Sequence, residues 1–139
     1  MRDLLIYIAI FTIIICIVGS INMYFYENIK VIDAELFAES EYTRLNLYFL
    51  KMVKYNGIKI KNYGLVKEED PLSSYITFES SDGTTSTFVK INNILYYNKI
   101  KLCENVDEFN VAVDKLGKET ISIDLKISNK DYKLQYVIN

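Results

Sequence analysis

The sequence of 139 residues contains no histidine. Histidine is the commonest metal ligand in proteins and the commonest general acid or base near neutral pH. The serines therefore lack the residue that most often activates a nucleophile, and the five glycines are too scattered to form a phosphate-binding loop. We expect the chain not to be an enzyme, and to use no metal, no cofactor and no small-molecule substrate.

Cysteine, proline and excess charge are also scarce. The two cysteines are Cys16, inside an apolar run, and Cys103, far outside it, so we predict no intrachain disulfide. The formal net charge is −2, and basic and acidic residues are nearly balanced. A nucleic-acid partner is not expected, because binding nucleic acid requires a clustered basic surface. With one proline and five glycines, the chain also has no low-complexity linker.

A long uncharged run dominates the N-terminus. Residues 4–21 read LLIYIAIFTIIICIVGSI, and no charged residue follows until Glu27. As a helix rising about 1.5 Å per residue, some 20 such residues span the roughly 30 Å hydrocarbon core of a bilayer. A single segment can satisfy its backbone hydrogen bonds in lipid only as a helix. The run predicts a transmembrane anchor over residues 1–26, with aromatic residues 24–26 at the membrane interface.

Three other interpretations of this run stay open. A cleaved secretory signal fits the small residues at 18–20, although the run is longer than a typical signal core. A lipoprotein signal would place its lipid on Cys16, but isoleucines precede that cysteine where a small residue is expected. A buried core helix would need more surrounding protein than the remaining residues provide. We favour a retained anchor.

The region after the anchor has helical periodicity. No glycine or proline occurs between Ile21 and Asn56. Apolar residues recur at steps of three and four, which is one face of an α-helix. They are Val31, Ala34, Ala38, Tyr42, Leu45, Phe49 and Met52. Charged residues, Glu41 among them, fall largely off this face. The pattern predicts one helix from about Leu4 to about Lys54, ended by the glycine after Asn56 and packed against the rest of the domain.

After residue 57 the period of the apolar residues changes from 3.6 to 2. The pattern predicts short strands at 58–61, 75–78, 84–91, 94–97 and 109–113, a loop at 63–73 and an irregular apolar segment at 100–106. Asp82-Gly83 is a strong hairpin turn. The clearest hairpin pairs residues 121–127 with residues 132–138, and its apolar face has to be covered.

These patterns divide the chain into an anchor (1–26), an amphipathic helix (27–56) and an antiparallel sheet (57–139). A sheet with one apolar face and a helix with one apolar face can bury both by packing together. We predict an α+β fold. Its long N-terminal helix, transmembrane in the first half and amphipathic in the second, packs on an antiparallel β-sheet.

Two weaker patterns have both a functional and an ordinary interpretation. The carboxylates of Glu68, Glu69 and Asp70 could bind Ca²⁺, but they lack the ligand spacing of a known calcium loop and fit a solvated acidic loop. Tyrosines on the predicted strands could form a binding surface, but tyrosine is common on half-buried strands. They are Tyr75, Tyr96, Tyr97, Tyr132 and Tyr136.

Three stretches resemble the type IV pilin and type II secretion pseudopilin superfamily. They are Ser40–Leu50 at the helix end, Tyr75–Leu95 in the central strands, and Leu102–Val111 with the Ile121–Ile127 strand that follows. The resemblance is greatest to minor subunits, namely J-type pseudopilins, PilW-like minor pilins and competence pseudopilins. It implies a pilin-like fold whose helix sits first in the membrane and then in a filament core.

The resemblance also implies where subunits meet. In the family, a glycine cleavage site precedes the motif Phe-Thr-Leu-Ile-Glu, and the Glu meets the α-amine of a neighbouring subunit. Here no leader glycine precedes the apolar run, Leu5 stands in place of the Glu, and Asp3 lies two residues earlier. The implied subunit-interface residues on the helix are Asp3, Leu5, Val31, Ala34 and Ala38.

We therefore expect a membrane-anchored minor pilin or pseudopilin-like structural subunit of a type IV pilus, competence or type II secretion-like filament, acting in assembly or priming. Its expected partners are other pilin-like subunits, in a hetero-oligomer, and the cytoplasmic membrane. Arg2 and the α-amine precede the span and only Lys30 closely follows it, which favours a cytoplasmic N-terminus and an extracytoplasmic C-terminal domain. The alternative is a single-pass extracytoplasmic binding or scaffold domain, not linked to pili, that docks a peptide or wall polymer on a free sheet edge.

Overall fold

The computed structural model describes residues 1–55, 57–66 and 73–138. Its elements are α1 (Arg2–Val53), β1 (Lys59–Leu65), β2 (Ser74–Glu79), β3 (Thr85–Ile91), β4 (Ile94–Tyr97), β5 (Ile100–Glu104), β6 (Val106–Asp114), β7 (Thr120–Ile127) and β8 (Lys130–Val137). The predicted α+β class, with one long N-terminal helix and antiparallel strands, is confirmed. The chain divides into two compact units, Met1–Leu36 and Phe37–Asn139, so the division falls inside α1.

The helix ends where the sequence predicts. After Val53, the Lys54 N–H still donates to the carbonyl of Leu50 at 3.0 Å, and the chain then leaves the helix. Gly57 has φ +78°, a left-handed conformation that costs glycine little because it has no Cβ. A Cβ at this position would also lie 3.1 Å from the Cβ of Ser81. Asn56, the other half of the predicted stop, lies outside the described residues.

The strands form two antiparallel sheets within the second unit, where the sequence predicted one. β1 to β5 follow one another in a five-stranded sheet, and β6, β7 and β8 form a three-stranded sheet. Asn105, between β5 and β6, has φ +54°, so the chain turns sharply there and β6 pairs with β7 instead of β5. An isolated parallel bridge between Ser73 and Phe109 joins the two sheets.

Two predicted irregular segments are strands. β1 continues to Leu65, and residues 63–65 pair with the start of β2, so the prediction of a loop over 63–73 was wrong in its described part. The carboxylates at 68–70 lie outside the described residues. The segment predicted as irregular at 100–106 contains β5 and the start of β6. A register shift opposite Leu102 buries both Leu102 and Cys103, which removes the alternation by which a strand is recognised.

The core of the second unit lies between α1 and the two sheets. Ala38, Leu45 and Phe49 on the predicted helix face are buried, and Tyr42 and Met52 are half-buried, which confirms the packing of this part of the helix on the sheet. Phe49 is the centre of an aromatic cluster. Its ring stacks on Phe88 at 4.1 Å and on Tyr136 at 5.6 Å between centroids, and meets the edge of Phe78 at 6.2 Å.

The first two residues of the predicted face do not join this core. Val31 is 58% exposed and Ala34 is also exposed, because both belong to the first compact unit. The prediction that the domain covers this helix face is confirmed for the part that belongs to the second unit, from Ala38 onward.

Candidate functional site

The first unit is a helix with an apolar surface on all sides. Every residue from Met1 to Leu36 is exposed. The large apolar side chains from Leu4 to Ile21 keep between 48% and 72% of their surface exposed. Water is a poor solvent for such a surface, since each large apolar side chain left exposed forgoes about 1.5–3 kcal/mol of burial. By length and composition this helix can cross a membrane, and it suggests a single-pass anchor.

The few polar side chains in the apolar run are satisfied within the helix. The Thr12 hydroxyl donates to the carbonyl of Ile8, and the Ser20 hydroxyl to the carbonyl of Cys16, both at 2.8 Å. Each hydroxyl can therefore enter lipid without leaving a donor unpaired.

Thr12, Cys16 and Ser20 recur every four residues and lie along one side of the helix. With the neighbouring isoleucines 13, 17 and 21 they line a shallow groove of about 380 Å³. Small residues at this spacing let a second helix approach closely in a membrane. Sequence reasoning missed this groove, although the four-residue spacing of small residues signals it.

The apolar surface continues beyond the predicted anchor. Ile29, Ile32 and Leu36 are spaced by three and four residues, so they share one face of α1, and each is more than half exposed. On an α-helix this face lies opposite the face that carries Val31 and Ala34. The Lys30 ammonium lies 4.6 Å from the centroid of the Tyr26 ring, a contact typical of the membrane interface. Sequence reasoning missed this second face because it followed only the first.

The residues implied as a subunit interface do not form one cluster. Asp3, Leu5, Val31 and Ala34 are all exposed on the first unit. Leu5 and Val31 are 26 residues apart on one helix, which is about 40 Å at 1.5 Å per residue. Ala38 is only 1% exposed, so the structure places it in the core of the second unit and not on a free surface. For the other four residues the interface role stays a prediction.

Glu41 is a buried carboxylate that sequence reasoning assigned to the solvent side of the helix. It is 5% exposed. Its Oε2 accepts the backbone N–H of Glu104 at 2.8 Å, and its Oε1 lies 3.2 Å from the guanidinium of Arg44. Arg44 in turn donates to the carbonyl of Leu102 at 3.2 Å. These contacts fasten the outer edge of β5 to α1, and only the folded chain brings them together.

The Lys90–Ser73 pair and the Cys103 thiol are buried in the second unit. The Lys90 ammonium donates to the Ser73 hydroxyl at 3.1 Å, a pairing that sequence reasoning did not foresee, but the two residues are 2% and 0% exposed. Burial, assisted by the nearby Glu41 carboxylate, raises the pKa of the Cys103 thiol to about 12, so this cysteine stays protonated and unreactive at neutral pH. Within the described ranges, no group of three or more His, Cys, Asp or Glu side chains is placed to hold a metal. The expectation that the chain is not an enzyme stays a prediction.

A cleft of about 560 Å³ opens on the outer face of the five-stranded sheet. Its lining is Thr85, Thr87, Val89, Ile91, Tyr96, Asn98 and Lys99. The β3 residues among them alternate with Phe88 and Lys90, which point into the core. The Asn98 side-chain carbonyl accepts the Thr87 N–H at 2.8 Å, which holds the floor of the cleft in place. Hydroxyls beside an aromatic ring are a common lining for small ligands.

The tyrosines proposed as a binding surface are dispersed. Of the five, Tyr96 lines the outer cleft. Tyr136 is 7% exposed and donates its hydroxyl to the Asn46 side chain at 2.6 Å. Tyr132 stacks on Tyr42, and the Tyr97 ring contacts Phe88 in the core. The residues therefore serve mainly in packing, which was the ordinary interpretation of the pattern.

A comparison with protein-family models finds no matching family, and comparisons with curated proteins and with solved structures find no match either. The class of the protein accordingly rests on its own architecture, which is α+β with one long apolar N-terminal helix. That architecture is compatible with a pilin-like fold and with a membrane-anchored protein.

Proposed function

We propose that this chain is a membrane-anchored, pilin-like minor subunit of a type IV pilus, competence or type II secretion-like filament. In this role it packs laterally against other pilin-like subunits and acts in assembly or priming. Support comes from the resemblance of three sequence stretches to that superfamily and from a helix-plus-sheet architecture compatible with it.

One observation carries the proposal, namely the length of exposed apolar helix. About 20 residues cross the hydrocarbon core of a bilayer. Residues 4–26 meet that need, yet the helix stays exposed and partly apolar through Leu36, about ten residues further. Ile29, Val31, Ile32 and Leu36 would be costly to leave in water on two sides of a helix. Neighbouring helices of other subunits would cover them.

The groove at Thr12, Cys16 and Ser20 supports the same role inside the membrane. Helices in lipid associate by close packing, because the hydrophobic effect does not distinguish a lipid tail from an apolar side chain. A groove lined by small residues increases the area over which a second helix can pack. The membrane part and the part beyond it would thus offer consecutive surfaces to neighbouring helices.

The topology follows from the same proposal. The N-terminus lies in the cytoplasm and the second unit lies outside the cytoplasmic membrane, in agreement with the small excess of positive charge before the span. In this arrangement the helix can leave the bilayer with the second unit when a filament grows.

The experiment is site-specific photocrosslinking of the full-length protein in its native membrane. A benzophenone amino acid replaces Ile29, Val31 or Ile32 in turn, and Leu116 serves as the matched control because it is 93% exposed on the second unit. We expect the three helix positions to capture proteins that themselves carry an apolar N-terminal helix, and Leu116 to capture none of them. Adducts identified by mass spectrometry as lipid alone at all three helix positions would contradict the proposal.

The mass of the protein's own N-terminus answers a separate question. Residue 5 is a leucine, where the family's motif has a Glu. If the apolar run is a retained anchor, the mature protein keeps residues 1–26. A mass showing cleavage within residues 18–20 would favour the secretory-signal interpretation and remove the anchor.

A second candidate function is favoured by the outer cleft of the five-stranded sheet. An anchored extracytoplasmic binding domain would use this cleft, with Tyr96 and the threonines of β3 contacting a wall polymer or a small ligand. The two candidate functions predict different effects of a charge placed in the cleft. Val89→Lys would abolish binding by such a domain and leave assembly of a filament subunit intact.

A further inference from the structure

β8 forms an edge of the three-stranded sheet that has no bulge in the described residues. All eight residues from Lys130 to Val137 pair with β7 without a register shift, and β8 is the last strand of its sheet. A strand at a sheet edge presents a row of unpaired backbone groups that can template another strand. β8 has no proline and no bulge to interrupt that row.

The backbone groups that face outward can be assigned. The N–H of Ile138 donates to the carbonyl of Glu119 on the β7 side at 2.9 Å. In an antiparallel ladder the residues alternate between facing the partner and facing away. The even-numbered residues of β8 therefore bond to β7. The outward residues are Asp131, Lys133, Gln135 and Val137, and their side chains are exposed as well.

The outer edges of the five-stranded sheet are protected in the described residues. β1 has a bulge between Ile60 and Asn62, and the Tyr63 N–H is taken by the Asn62 side chain at 2.9 Å. On β5, the carbonyl of Leu102 accepts from Arg44 and the N–H of Glu104 donates to Glu41. Bulges and side chains of this kind are the usual protection of sheet edges.

The remaining edge, β6, contacts the other sheet in its first half. The N–H of Val106 donates to the carbonyl of Asn93 at 3.0 Å, and Phe109 is bridged to Ser73. In the described residues, β8 differs from β1 and β5 in having neither a bulge nor a side-chain hydrogen bond to its outward backbone groups, and its exposed outward residues include the charged Asp131 and Lys133.

A pocket of about 400 Å³ lies beside this edge. Gln135 and Val137 of β8 form one wall, and Leu50, Val53 and Lys54 at the end of α1 form another. Lys54 is exposed, and no acidic residue is among the described lining residues. The pocket is therefore partly apolar, and Lys54 is the charged residue among its described lining residues.

We propose that β8 binds an extended acidic peptide segment of another protein by strand addition. Backbone hydrogen bonds form to the outward groups of β8, and a peptide side chain enters the pocket, where Lys54 favours a carboxylate. Side chains at the end of α1 lie beside β8 at this pocket, so the space for an incoming chain is narrow there. A single added strand fits, because it extends the sheet by only about 4.8 Å. This inference depends on the second unit alone and does not rest on the filament proposal.

The test uses the full-length protein in lipid nanodiscs. A synthetic library of hexapeptides alternates valine with randomised residues, and retained peptides are sequenced by mass spectrometry. Binding of the most enriched peptide is then measured by fluorescence anisotropy. The key variant is Gln135→Pro, which removes an outward N–H while leaving the bonds to β7 in place. The matched control is Gln135→Thr, which keeps the N–H and suits a strand.

We expect wild type and Gln135→Thr to retain acidic peptides, and Gln135→Pro to bind at least about tenfold more weakly, as loss of a buried backbone hydrogen bond predicts. Lys54→Glu should shift the library's preference from acidic to basic residues. The peptide can be N-methylated either at its odd-numbered or at its even-numbered residues. One of these two sets should abolish binding and the other should not, because only alternate N–H groups face β8. This result does not depend on how Gln135→Pro folds.

Three results would overturn the proposal. In the first, the protein retains no peptide from the library. In the second, Gln135→Pro binds the peptide as tightly as wild type does, and both N-methylated sets weaken binding equally. In the third, light scattering shows a wild-type dimer that Gln135→Pro dissociates. The last would assign the edge to a second copy of this chain.

Discussion

The two compact units of this protein use apolar residues in opposite ways. In Met1–Leu36 no side chain is buried, although the unit consists largely of isoleucine, leucine and aromatic residues. In Phe37–Asn139, Phe49, Phe78 and Phe88 are fully buried around one core. The second unit supplies its own apolar surroundings, whereas the first needs them from a bilayer or from other helices.

Polar groups show the same difference. In the first unit the hydroxyls of Thr12 and Ser20 bond to carbonyls four residues earlier, so each is satisfied locally. In the second unit Glu41 bonds to an N–H 63 residues away, and Tyr136 to a side chain 90 residues away. The first unit can therefore form as a helix without the rest of the chain, but the second depends on long-range contacts.

The largest expected effect is on the insertion of the first unit into the membrane. Replacing Ile13 and Ile17 together by arginine should expel the helix from the membrane, since each arginine at a span's centre costs about 2.5–3.5 kcal/mol. Membrane fractionation with an alkaline carbonate wash measures the loss. Ile100→Arg with Leu116→Arg, at two exposed positions of the second unit, is the control and should leave the protein membrane-bound. Retention of the Ile13/Ile17 variant would show that the helix is not an anchor.

The next effect is on the core of the second unit. Phe49→Ala should lower the free energy of unfolding by about 3–5 kcal/mol, because it removes a buried ring that four aromatic side chains contact. Denaturant unfolding of the full-length protein in detergent micelles measures it. Leu47→Ala, on the same helix but 55% exposed, should change it by less than about 0.5 kcal/mol. Equal effects would mean that α1 does not pack on the sheets as described.

A smaller effect is expected at the contacts of Glu41 and Arg44 that join α1 to β5, called the clamp below. Glu41→Ala leaves the Glu104 N–H and the Arg44 guanidinium without their buried partner, which should cost about 1.5–3 kcal/mol. Hydrogen exchange at the Glu104 amide should accelerate. Glu39→Ala is the matched control, since its 3.5 Å contact with Lys130 is exposed and contributes at most about 1 kcal/mol. Unchanged exchange at Glu104 in the Glu41 variant would refute the clamp.

The smallest effect concerns pH. Burial raises the pKa of Cys103 from 9.0 to about 12, so the folded state holds this proton more tightly than the unfolded state. The resulting stabilisation is complete below about pH 9 and is lost as pH rises toward 12. One pH unit above the ordinary thiol pKa, the loss is about 1.4 kcal/mol.

Urea midpoints of wild type and Cys103→Ala at pH 8 and pH 10 measure this difference. Wild type should lose more stability than the variant over that interval, because the variant has no thiol to ionise. The subtraction removes the contribution of other groups that titrate there, including Tyr136, whose pKa burial also raises. Parallel losses in the two proteins would show that Cys103 is not buried as described.

The sequence predicts the elements that are governed by local periodicity. The helix is predicted from about Leu4 to Lys54 and runs from Arg2 to Val53. The last hairpin is predicted over 121–138 and is observed as β7 and β8. Both have a strict period over many residues, so local preference and burial agree.

Prediction fails where a distant partner changes the pattern. β5 loses its alternation because the register shifts against β4, and β1 is an edge strand whose residues are mostly exposed on both faces. Glu41 looks like a solvent-facing residue until Arg44 and Glu104 are placed beside it. The apolar surface at 29–36 was predicted only in part. The face with Val31 and Ala34 was expected to be covered by the domain, and the opposite face with Ile29, Ile32 and Leu36 was not predicted.

The sequence by itself therefore determined the α+β class, the apolar helix and the face of that helix that enters the core, since each follows from a period or a long uncharged run. Only the tertiary structure decided that the strands split into two sheets, that Ala38 and Glu41 are buried while Val31 and Ala34 are exposed, and that β8 is an edge strand. The physical reason is that burial and edge protection are properties of pairs of residues far apart in the chain, and such pairs exist only after folding.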